Sequence, residues 1–368
     1  MLPIKRMTIV IAATLGVAAM INSAPALSED MATVRVGVTP YFDYMPWVVA
    51  KDLGLDKEVG VDLELINIDS TAKAVAAMRR GSLDVVSSCH VCDFPLYESV
   101  PELRSWLITN QFKGFIVVGR QGAETYADLA KSMPPEEAKL KVLKGMKGKT
   151  FALVRSNFEK LLTAALSQAG LNTDDIKILE FSDDAQAALA FEKGVGDYYM
   201  GSLPQETKLL ASPEKYVNVG GHQILGPAGL WFSTMDATQE WIDANAATVT
   251  KLVAIWYRFA RYADEKFDEV APMWVKATNE RAAASFTVDD FKNTYKLLYF
   301  PTVEQAKETI FNVQSDAYWK NSVSFYEKQN ADQLTKGFQP EVNALEERLF
   351  KKLLADKALM EWIESPLK

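Results

Sequence analysis

The sequence predicts an α/β fold of two lobes, each a parallel-core sheet flanked by helices. Three observations carry this prediction: an internal repeat of strand, helix, strand, helix and strand; two segments that cross between the copies; and a helical pattern over the last third. Each βαβαβ unit places its helices on the faces of one sheet, so two units imply two lobes. We expect lobe one to comprise residues 32–112 and 226–368, and lobe two residues 113–225.

The N-terminal residues carry the pattern of a secretory signal peptide, expected over residues 1–26. Lys5 and Arg6 precede an uncharged, almost wholly apolar run over residues 8–21, and small residues up to Ala26 provide a cleavage site. The apolar run is shorter than the roughly 20 residues that a membrane span needs. We therefore expect a mature protein in the periplasm, cleaved near Ala26.

The charge balance excludes some classes of partner. Removing residues 1–26 takes away two positive charges and no negative one, so the formal net charge changes from −8 to −10. This acidity argues against nucleic acid or an anionic membrane surface as a partner. Hydrophobic residues make up 48% of the chain, which is enough for a large core that does not depend on disulfides.

The repeat can be followed element by element. The first copy is expected as strand 33–38, helix 45–55, strand 61–68, helix 70–81 and strand 84–88. The second copy is expected as strand 149–154, helix 156–171, strand 176–181, helix 182–194 and strand 197–202. In both copies a glycine ends the second helix and an aspartate follows three positions later, at the start of the next strand. The pairs are Gly81 with Asp84 and Gly194 with Asp197.

Two further segments and a helical tail complete the expected architecture. Residues 112–120 and 217–234 are expected to form two hinge strands that cross between the lobes. From about residue 236 the pattern is helical, with a core stripe at Leu252, Ile255, Trp256 and Phe259. Capping boxes are expected at Thr287 with Asp290 and at Thr302 with Gln305. These helices should pack on lobe one.

Four segments carry a resemblance to a known family. In this order they read "YFDYMPWVVAKDLGL", "AAMRRGSLDVV", "GKTFALVRSN" and "ALAFEKGVGDYYMGSLPQ". The chain from residue 33 to about 260 resembles the extracytoplasmic solute-binding proteins of the nitrate, sulfonate, taurine and thiamine-precursor (pyrimidine precursor) branch of ABC importers. The resemblance implies a two-lobe, type II-like periplasmic binding protein that closes on a small solute and docks on an inner-membrane ABC permease. We expect a monomer that is not an enzyme and needs no cofactor.

The expected ligand site lies between the lobes, where parallel strands end and their loops converge. The candidate ligand-binding residues are Tyr41, Phe42, Asp43, Ser70, Thr71, Ser88, Cys89 and His90 in lobe one, Arg155, Ser156, Asn157, Asp183, Ser202 and Gln205 in lobe two, and Trp231. Tyr41 and Phe42 are expected to stack on the solute. Asp43 or Asp183, together with Arg155, are expected to recognise charge. Hydrogen bonds are expected from Ser70, Thr71, Ser88 and His90, and anchoring of the solute to lobe two from Asn157, Ser202 and Gln205.

Aromatic and acidic residues outnumber basic ones around these strand ends. Arg155 is the one basic side chain there, whereas aspartates and tyrosines are common. This composition favours an amine-bearing or heteroaromatic solute, because aromatic faces attract rings and cations. A sulfonate-like or taurine-like solute comes next, since the guanidinium fork of Arg155 suits such an anion.

The segment Cys89-His90-Val91-Cys92 contains both cysteines and one of the two histidines. Free thiols packed beside the ligand are the favoured interpretation, and a short-loop disulfide in an oxidising compartment comes next. A zinc site would need further ligands, and a redox dithiol is less expected. Two functional alternatives stay open: an enzyme similar to thiamine pyrimidine synthases that uses this loop, and a periplasmic sensor that presents its ligand to a membrane kinase.

Overall fold

The computed structural model describes residues 31–68, 71–182, 184–201, 203–282, 285–315, 317–329, 331, 334–335 and 338–368. The predicted signal peptide lies outside these residues. The strands are β1 Ala32–Val38, β2 Val61–Asn67, β3 Val85–Cys89, β4 Leu103–Phe112, β5 Val117–Arg120, β6 Thr150–Leu153, β7 Lys177–Glu180, β8 Tyr198–Tyr199, β9 Tyr216–Gly220, β10 Trp231–Thr238 and β11 Leu298–Tyr299.

The helices lie between these strands and dominate the C-terminal third. They are α1 Pro46–Asp52, α2 Leu55–Glu58, α3 Thr71–Arg79, α4 His90–Asp93, α5 Tyr126–Leu129, α6 Pro135–Gly145, α7 Arg155–Ser167, α8 Asp184–Glu192, α9 Leu203–Leu210, α10 His222–Leu225, α11 Gln239–Ala244, α12 Ala246–Glu265, α13 Phe267–Ala282, α14 Val288–Tyr295, α15 Val303–Glu308, α16 Trp319–Gln329, α17 Glu341–Ala344, α18 Glu347–Ala355 and α19 Lys357–Glu364. Two short 3-10 helices, Thr173–Asp175 and Gly226–Gly229, complete the set. Across the described ranges, no helix combines the length and apolar character that a membrane crossing requires.

The strands form two sheets with matching order. The first sheet runs β2-β1-β3-β10-β4-β11, and the second runs β7-β6-β8-β5-β9, so the first five strands correspond and β11 is an addition to the first sheet. In the first sheet β1 is parallel to β2 and β3, and in the second β6 is parallel to β7 and β8. Next to each parallel core lies an antiparallel strand, β10 in the first sheet and β5 in the second. The predicted fold class of two parallel-core lobes is confirmed.

Each of these inserted strands has just crossed from the other lobe. The chain leaves β4 in the first sheet and enters β5 in the second, and it later leaves β9 in the second sheet and enters β10 in the first. The lobes are therefore related in topology, and each uses the strand that follows a crossing to complete its sheet.

The glycine–aspartate feature of the repeat has the same structural role in both copies. Gly81 and Gly194 have φ values of 71° and 94°, which suit a helix-ending glycine. The Asp84 carboxylate accepts a hydrogen bond from the backbone N–H of Arg35 in β1 at 2.8 Å. The Asp197 carboxylate accepts one from the backbone N–H of Thr150 in β6 at 2.9 Å. Each aspartate thus ties the third strand of its copy to the first.

The second crossing differs from the prediction of one hinge strand over residues 217–234. The chain instead forms β9, helix α10 and a 3-10 helix before it enters β10. Gly226, with φ of 66°, stands where α10 ends, in a backbone conformation that breaks an extended strand. The return segment is therefore a compact turn of helix between two strands.

The hydrophobic cores follow the two sheets. The core of lobe one includes strands β1–β4 and the C-terminal helices, and the predicted stripe of α12 is fully buried in it. Both predicted capping boxes are present, at Thr287 and Thr302. Lobe two has its own core around β6 and α7. Phe112, Trp231 and Phe325 pack against both cores, so these aromatic rings lie where the lobes meet.

Candidate functional site

The strand ends of lobe one converge at the edge next to the crossings. β1 ends at Val38 and β3 ends at Cys89, and the antiparallel pairing places Ser233, near the start of β10, opposite Cys89. β4 ends at Phe112, immediately before the first crossing. The loop after β1, the start of β10 and the end of β4 therefore share one edge of the sheet.

Tyr41 and Asp43 in the loop after β1 present an aromatic ring and a carboxylate at this edge. The Tyr41 residue is 61% exposed. The Asp43 carboxylate accepts hydrogen bonds from Ser233 Oγ at 2.7 Å and from Asn110 Nδ2 at 3.4 Å. Burial raises the pKa of Asp43, and these two hydrogen bonds oppose the rise. The arrangement can accept a hydrogen bond from a charged or polar solute beside an exposed ring.

Sequence reasoning missed Asn110 and Ser233, the two partners of Asp43. Their signal was weak, because β4 and β10 carry several other polar residues besides Asn110 and Ser233. A polar side chain within a buried strand usually has a specific hydrogen-bond partner. The partner here is 67 residues away from Asn110 and 190 from Ser233, so local patterns could not identify it.

Phe42 does not share the exposure of its neighbour. Its ring is buried, with centroids 5.0 Å from Phe286 and 4.9 Å from Phe291. Its carbonyl accepts a hydrogen bond from Trp274 Nε1 at 2.8 Å. Because the C-terminal helices cover this ring, Phe42 belongs to the core of lobe one and is not available to stack on a solute.

The two cysteines are joined in a disulfide between Cys89 and Cys92. The short helix α4 brings their Cα atoms to 5.0 Å, within the range that a disulfide can span. The favoured prediction of free thiols is therefore wrong, and the second-ranked disulfide is correct. Cys89 is also buried, so its side chain is not exposed for the predicted contact with a ligand.

Ser88 and His90 also turn away from solvent. The His90 Nε2 lies 2.9 Å from the carbonyl oxygen of Ala344, which accepts its hydrogen bond. Burial lowers the pKa of His90 to about 4, so the ring is neutral at neutral pH. Ser88 donates to the Asp93 carboxylate. Both side chains therefore act within lobe one rather than at its surface, contrary to their predicted contact with a solute.

In lobe two the predicted basic anchor is already paired. Arg155 begins α7 and forms ion pairs with Glu159 and, at 3.2 Å, with Glu180. Its positive charge is therefore matched inside its own lobe. An anionic solute that used Arg155 would have to compete with two carboxylates for the same guanidinium.

The remaining predicted residues have diverse positions. Thr71 lies at the start of α3 and Gln205 lies in α9, and both are partly buried. Ser156 and Asn157 belong to the first turn of α7, and their side chains are not among those described. Ser70, Asp183 and Ser202 lie outside the described residues.

Trp231 lies at the second crossing. Its Nε1 donates to the Ala228 carbonyl at 3.1 Å, and its ring centroid is 4.3 Å from that of Phe115. Since Trp231 is only partly buried and packs against both cores, a movement of one lobe relative to the other would change its surroundings.

Buried carboxyl groups near the lobe edges form a second set that sequence reasoning did not assign. Asp93 and Asp236 are buried together in lobe one, and Glu206 is buried in α9 of lobe two. Burial raises the pKa of Glu206 well above its usual value, while backbone groups of Ile116 and Gly201 oppose the rise. Among the described side chains, no group of three or more His, Cys, Asp or Glu residues is placed to hold a metal ion.

Comparisons with solved structures support the fold. The aliphatic sulphonate binding protein SsuA of Escherichia coli is 15% identical, with a TM-score of 0.61 over 87% of this chain and 99% of that chain. A putative sulfonate-binding SsuA of Methylobacillus flagellatus is 13% identical, with a TM-score of 0.62 over 92% and 97%. The nitrate-binding protein NrtA of Synechocystis is 12% identical, with a TM-score of 0.60 over 91% of each chain.

At these identities the similar structures establish the periplasmic binding protein fold and nothing finer. A comparison with curated protein sequences finds no match. Residues 28–274, more than half of the chain, match the model of the NMT1-like family. Together these findings confirm the resemblance seen in the sequence. The chain belongs to the NMT1-like family.

Proposed function

We propose that this protein is the extracytoplasmic substrate-binding protein of an ABC importer. It captures a small organic solute between its lobes and delivers it to a permease in the inner membrane. Family membership and the similarity in fold to a sulphonate-binding protein and a nitrate-binding protein support this proposal. The observation that carries it is the pair of like-ordered sheets, joined by two crossings, with Tyr41 and Asp43 at the edge beside them.

An amine-bearing or heteroaromatic solute fits the described side chains best. Asp43 receives hydrogen bonds from Ser233 and Asn110 but takes part in no ion pair among the residues that are described. A protonated amine would supply the missing positive charge, and the exposed Tyr41 ring offers a face for a ring or a cation. A sulfonate-like or taurine-like solute is the second candidate, favoured by the similarity in fold to two sulfonate-binding proteins.

Solute binding is expected to close the lobes. A ligand that contacts both lobes favours the closed state by the difference between its affinities for the closed and open states. The aromatic contacts of Phe112, Trp231 and Phe325 lie where the lobes meet and would rearrange with this movement. We expect the working form to be a periplasmic monomer.

The solute can be identified by native mass spectrometry of protein purified without denaturation. Isothermal titration calorimetry should then rank amines, heteroaromatic compounds, taurine, alkanesulfonates and nitrate. We expect the tightest binding from a solute with an amine or a heteroaromatic ring. Tightest binding of nitrate or of a simple sulfonate would contradict the proposed ligand class while leaving a transport role intact.

Two substitutions test the proposed contacts with the identified solute. Tyr41→Ala should weaken binding by about 1 kcal/mol through lost stacking. Asp43→Asn should weaken the binding of an amine by about 2 kcal/mol through loss of the paired charge. The controls are Val313→Ala, at an exposed side chain between α15 and α16, and Asp128→Asn, an exposed aspartate of lobe two. Unchanged affinity in both test variants would contradict this site.

The alternatives are separated by different readouts. Incubation with the solute should leave the masses of protein and solute unchanged, since the closed disulfide and the buried His90 do not suit a reaction at this loop. A receptor for transport should stimulate ATP hydrolysis by its permease when loaded with solute. Stimulation of a membrane kinase instead would support the sensor role.

A further inference from the structure

A cluster of oxygen-bearing side chains lies beneath helix α4 in lobe one. It comprises Ser88, Asp93, Tyr97, Ser105, Thr234 and Asp236, each 2% exposed or less. Thr234 and Asp236 project from β10, and the strand register places Ser88 of β3 opposite Thr234 and Ser105 of β4 opposite Asp236. Four hydroxyl groups therefore surround two carboxyl groups in the protein interior.

The two carboxyl groups differ in their hydrogen bonds. Asp93 accepts from Ser88 Oγ and, at 3.2 Å, from Thr234 Oγ1. Both carboxyl oxygens of Asp236 lack a hydrogen bond of acceptable geometry, as do Tyr97 Oη and Ser105 Oγ. Asp236 is nonetheless close enough to Asp93 and Ser105 for each to affect its pKa. Unpartnered groups thus face the same small space.

No basic side chain neutralises this pair within the described part of the chain. The charged or titratable groups that act on it or on its neighbours are Tyr44 of the loop after β1, Tyr97 after α4, Arg104 of β4, and Asp43 through Tyr44. Arg104 directs its guanidinium to the carbonyls of Pro101 and Leu103. Two adjacent carboxylates without a counter-charge are strongly disfavoured in a buried site, because neither desolvation nor their repulsion is compensated.

We infer that Asp93 and Asp236 form a proton-binding site in which the two carboxyl groups share one proton at neutral pH. The shared proton removes one negative charge and supplies the donor that Asp236 lacks. With the four hydroxyls it gives five donors for four carboxyl oxygens, so the remaining negative charge is fully solvated by the protein. Small rotations of Tyr97 and Ser105 complete these contacts.

The direction of the pKa shifts supports this assignment. Burial, followed by the charge of Asp236, raises the pKa of Asp93 well above its usual value. Burial also raises the pKa of Asp236, to about 6, despite opposing hydrogen bonds from its neighbours. The two pKa values belong to the pair as a whole, since carboxyl groups that affect each other this strongly titrate together.

The position of the site gives the proton a structural role that is independent of the proposed solute. Asp93 directly follows Cys92 of the disulfide, and Asp236 lies three residues after Ser233, the partner of Asp43. The shared proton therefore stabilises the contact between helix α4, which follows β3, and strand β10. Its loss would place two negative charges between these elements.

Infrared spectroscopy tests the site directly, in buffer treated with a chelator. Because Glu206 is another buried carboxyl group with a raised pKa, the measurements use protein that carries Glu206→Gln. At pH 7 this reference protein should show the carbonyl stretch of a protonated carboxylic acid, and the band should be lost when Asp93→Asn and Asp236→Asn are added. Asp128→Asn, which removes an exposed and ionised aspartate, should retain the band. Absence of the band from the Glu206→Gln protein at pH 7, or its persistence after Asp93→Asn and Asp236→Asn are added, would overturn the proposal.

Thermal unfolding provides a second readout and tests the competing occupant, a hard cation. The unfolding midpoint of wild-type protein should fall relative to that of the double variant Asp93→Asn with Asp236→Asn as the pH rises from 5 to 8, because the folded state keeps a proton that the unfolded chain has released. A constant difference would count against the site. A rise specific to CaCl₂ or NaCl over choline chloride, lost in the double variant, would assign a cation instead. If the protein with both aspartates replaced does not fold, the infrared spectrum of the Glu206→Gln protein at pH 7 decides alone, by the presence or absence of the band.

Discussion

Tyr41 and Phe42 are adjacent in the chain and have opposite environments. Tyr41 is exposed, whereas Phe42 packs against Phe286 and Phe291. The sequence places both at the edge of the sheet but cannot assign their faces, since a loop lacks the fixed period by which helices and strands alternate their side chains. The same limit applies to His90, whose partner Ala344 is 254 residues away. Residue identity near a site is thus predictable, and side-chain direction is not.

Burial of His90 predicts a loss of stability in mild acid. The pKa of His90 is lowered to about 4 in the folded protein, against 6.5 for the ordinary side chain. As the pH falls below 6.5, His90 becomes protonated in the unfolded chain but stays neutral in the folded protein until the pH approaches 4. This difference should lower the free energy of unfolding by up to about 3 kcal/mol near pH 4.

Urea unfolding of wild-type protein and of His90→Gln between pH 4 and pH 7 measures this effect. The variant should lack this part of the acid dependence, while His222→Gln should retain it, since His222 is only partly buried. Parallel pH profiles for wild type and His90→Gln would contradict the assignment.

At the scale of elements, the repeat was predictable because its apolar periods and helix-ending glycines are local. All ten of its strands and helices are present, with ends that shift by a few residues. Sequence reasoning missed several elements outside the repeat, among them strand β4, helix α6 and strand β11. β11 has two residues and exists as a strand through its pairing with the end of β4. Helix α4 is a single turn, and its disulfide could be ranked from the sequence but not decided.

The disulfide of α4 is expected to contribute modestly to stability. Closing so short a loop restricts the unfolded chain little, and the chain-entropy relation gives about 2 kcal/mol. The double variant Cys89→Ser with Cys92→Ser should therefore unfold with a free energy lower by about that amount in urea. Wild-type protein treated with dithiothreitol should lose the same amount, and the variant should not respond to it. A variant as stable as oxidised wild type would contradict this expectation.

At the scale of the molecule, the two lobes meet through a small set of aromatic rings. Phe112 precedes the first crossing, Trp231 follows the second, and Phe325 comes from helix α16. Each packs against both cores. If the lobes close on a solute as proposed, they would rotate about this shared region. The approximate positions of both crossings were predicted, but each was expected as one strand, whereas the first is split between β4 and β5 and the second contains α10. Phe325 was not predicted, because its helix lies outside the repeated segment.

Trp231 should report on this movement through its fluorescence. Addition of the identified solute is expected to change the tryptophan emission of wild-type protein, and Trp231→Phe should remove most of that change. Trp362→Phe, near the C-terminal end and hydrogen-bonded to Glu58, should preserve it. Equal responses from both variants would place the movement elsewhere.

The order of strands has a consequence for biogenesis. Every strand of the second sheet lies between Val117 and Gly220, whereas the first sheet also needs β10 and β11 from farther along the chain. A polypeptide that emerges N-terminus first thus delivers a whole set of strands for lobe two while lobe one still has a gap beside β3. The contact between Ser233 and Asp43 can form only after that gap is filled. The proposed capture of a solute would accordingly need the chain at least through β10, and translation products that end before Ser233 would lack this contact.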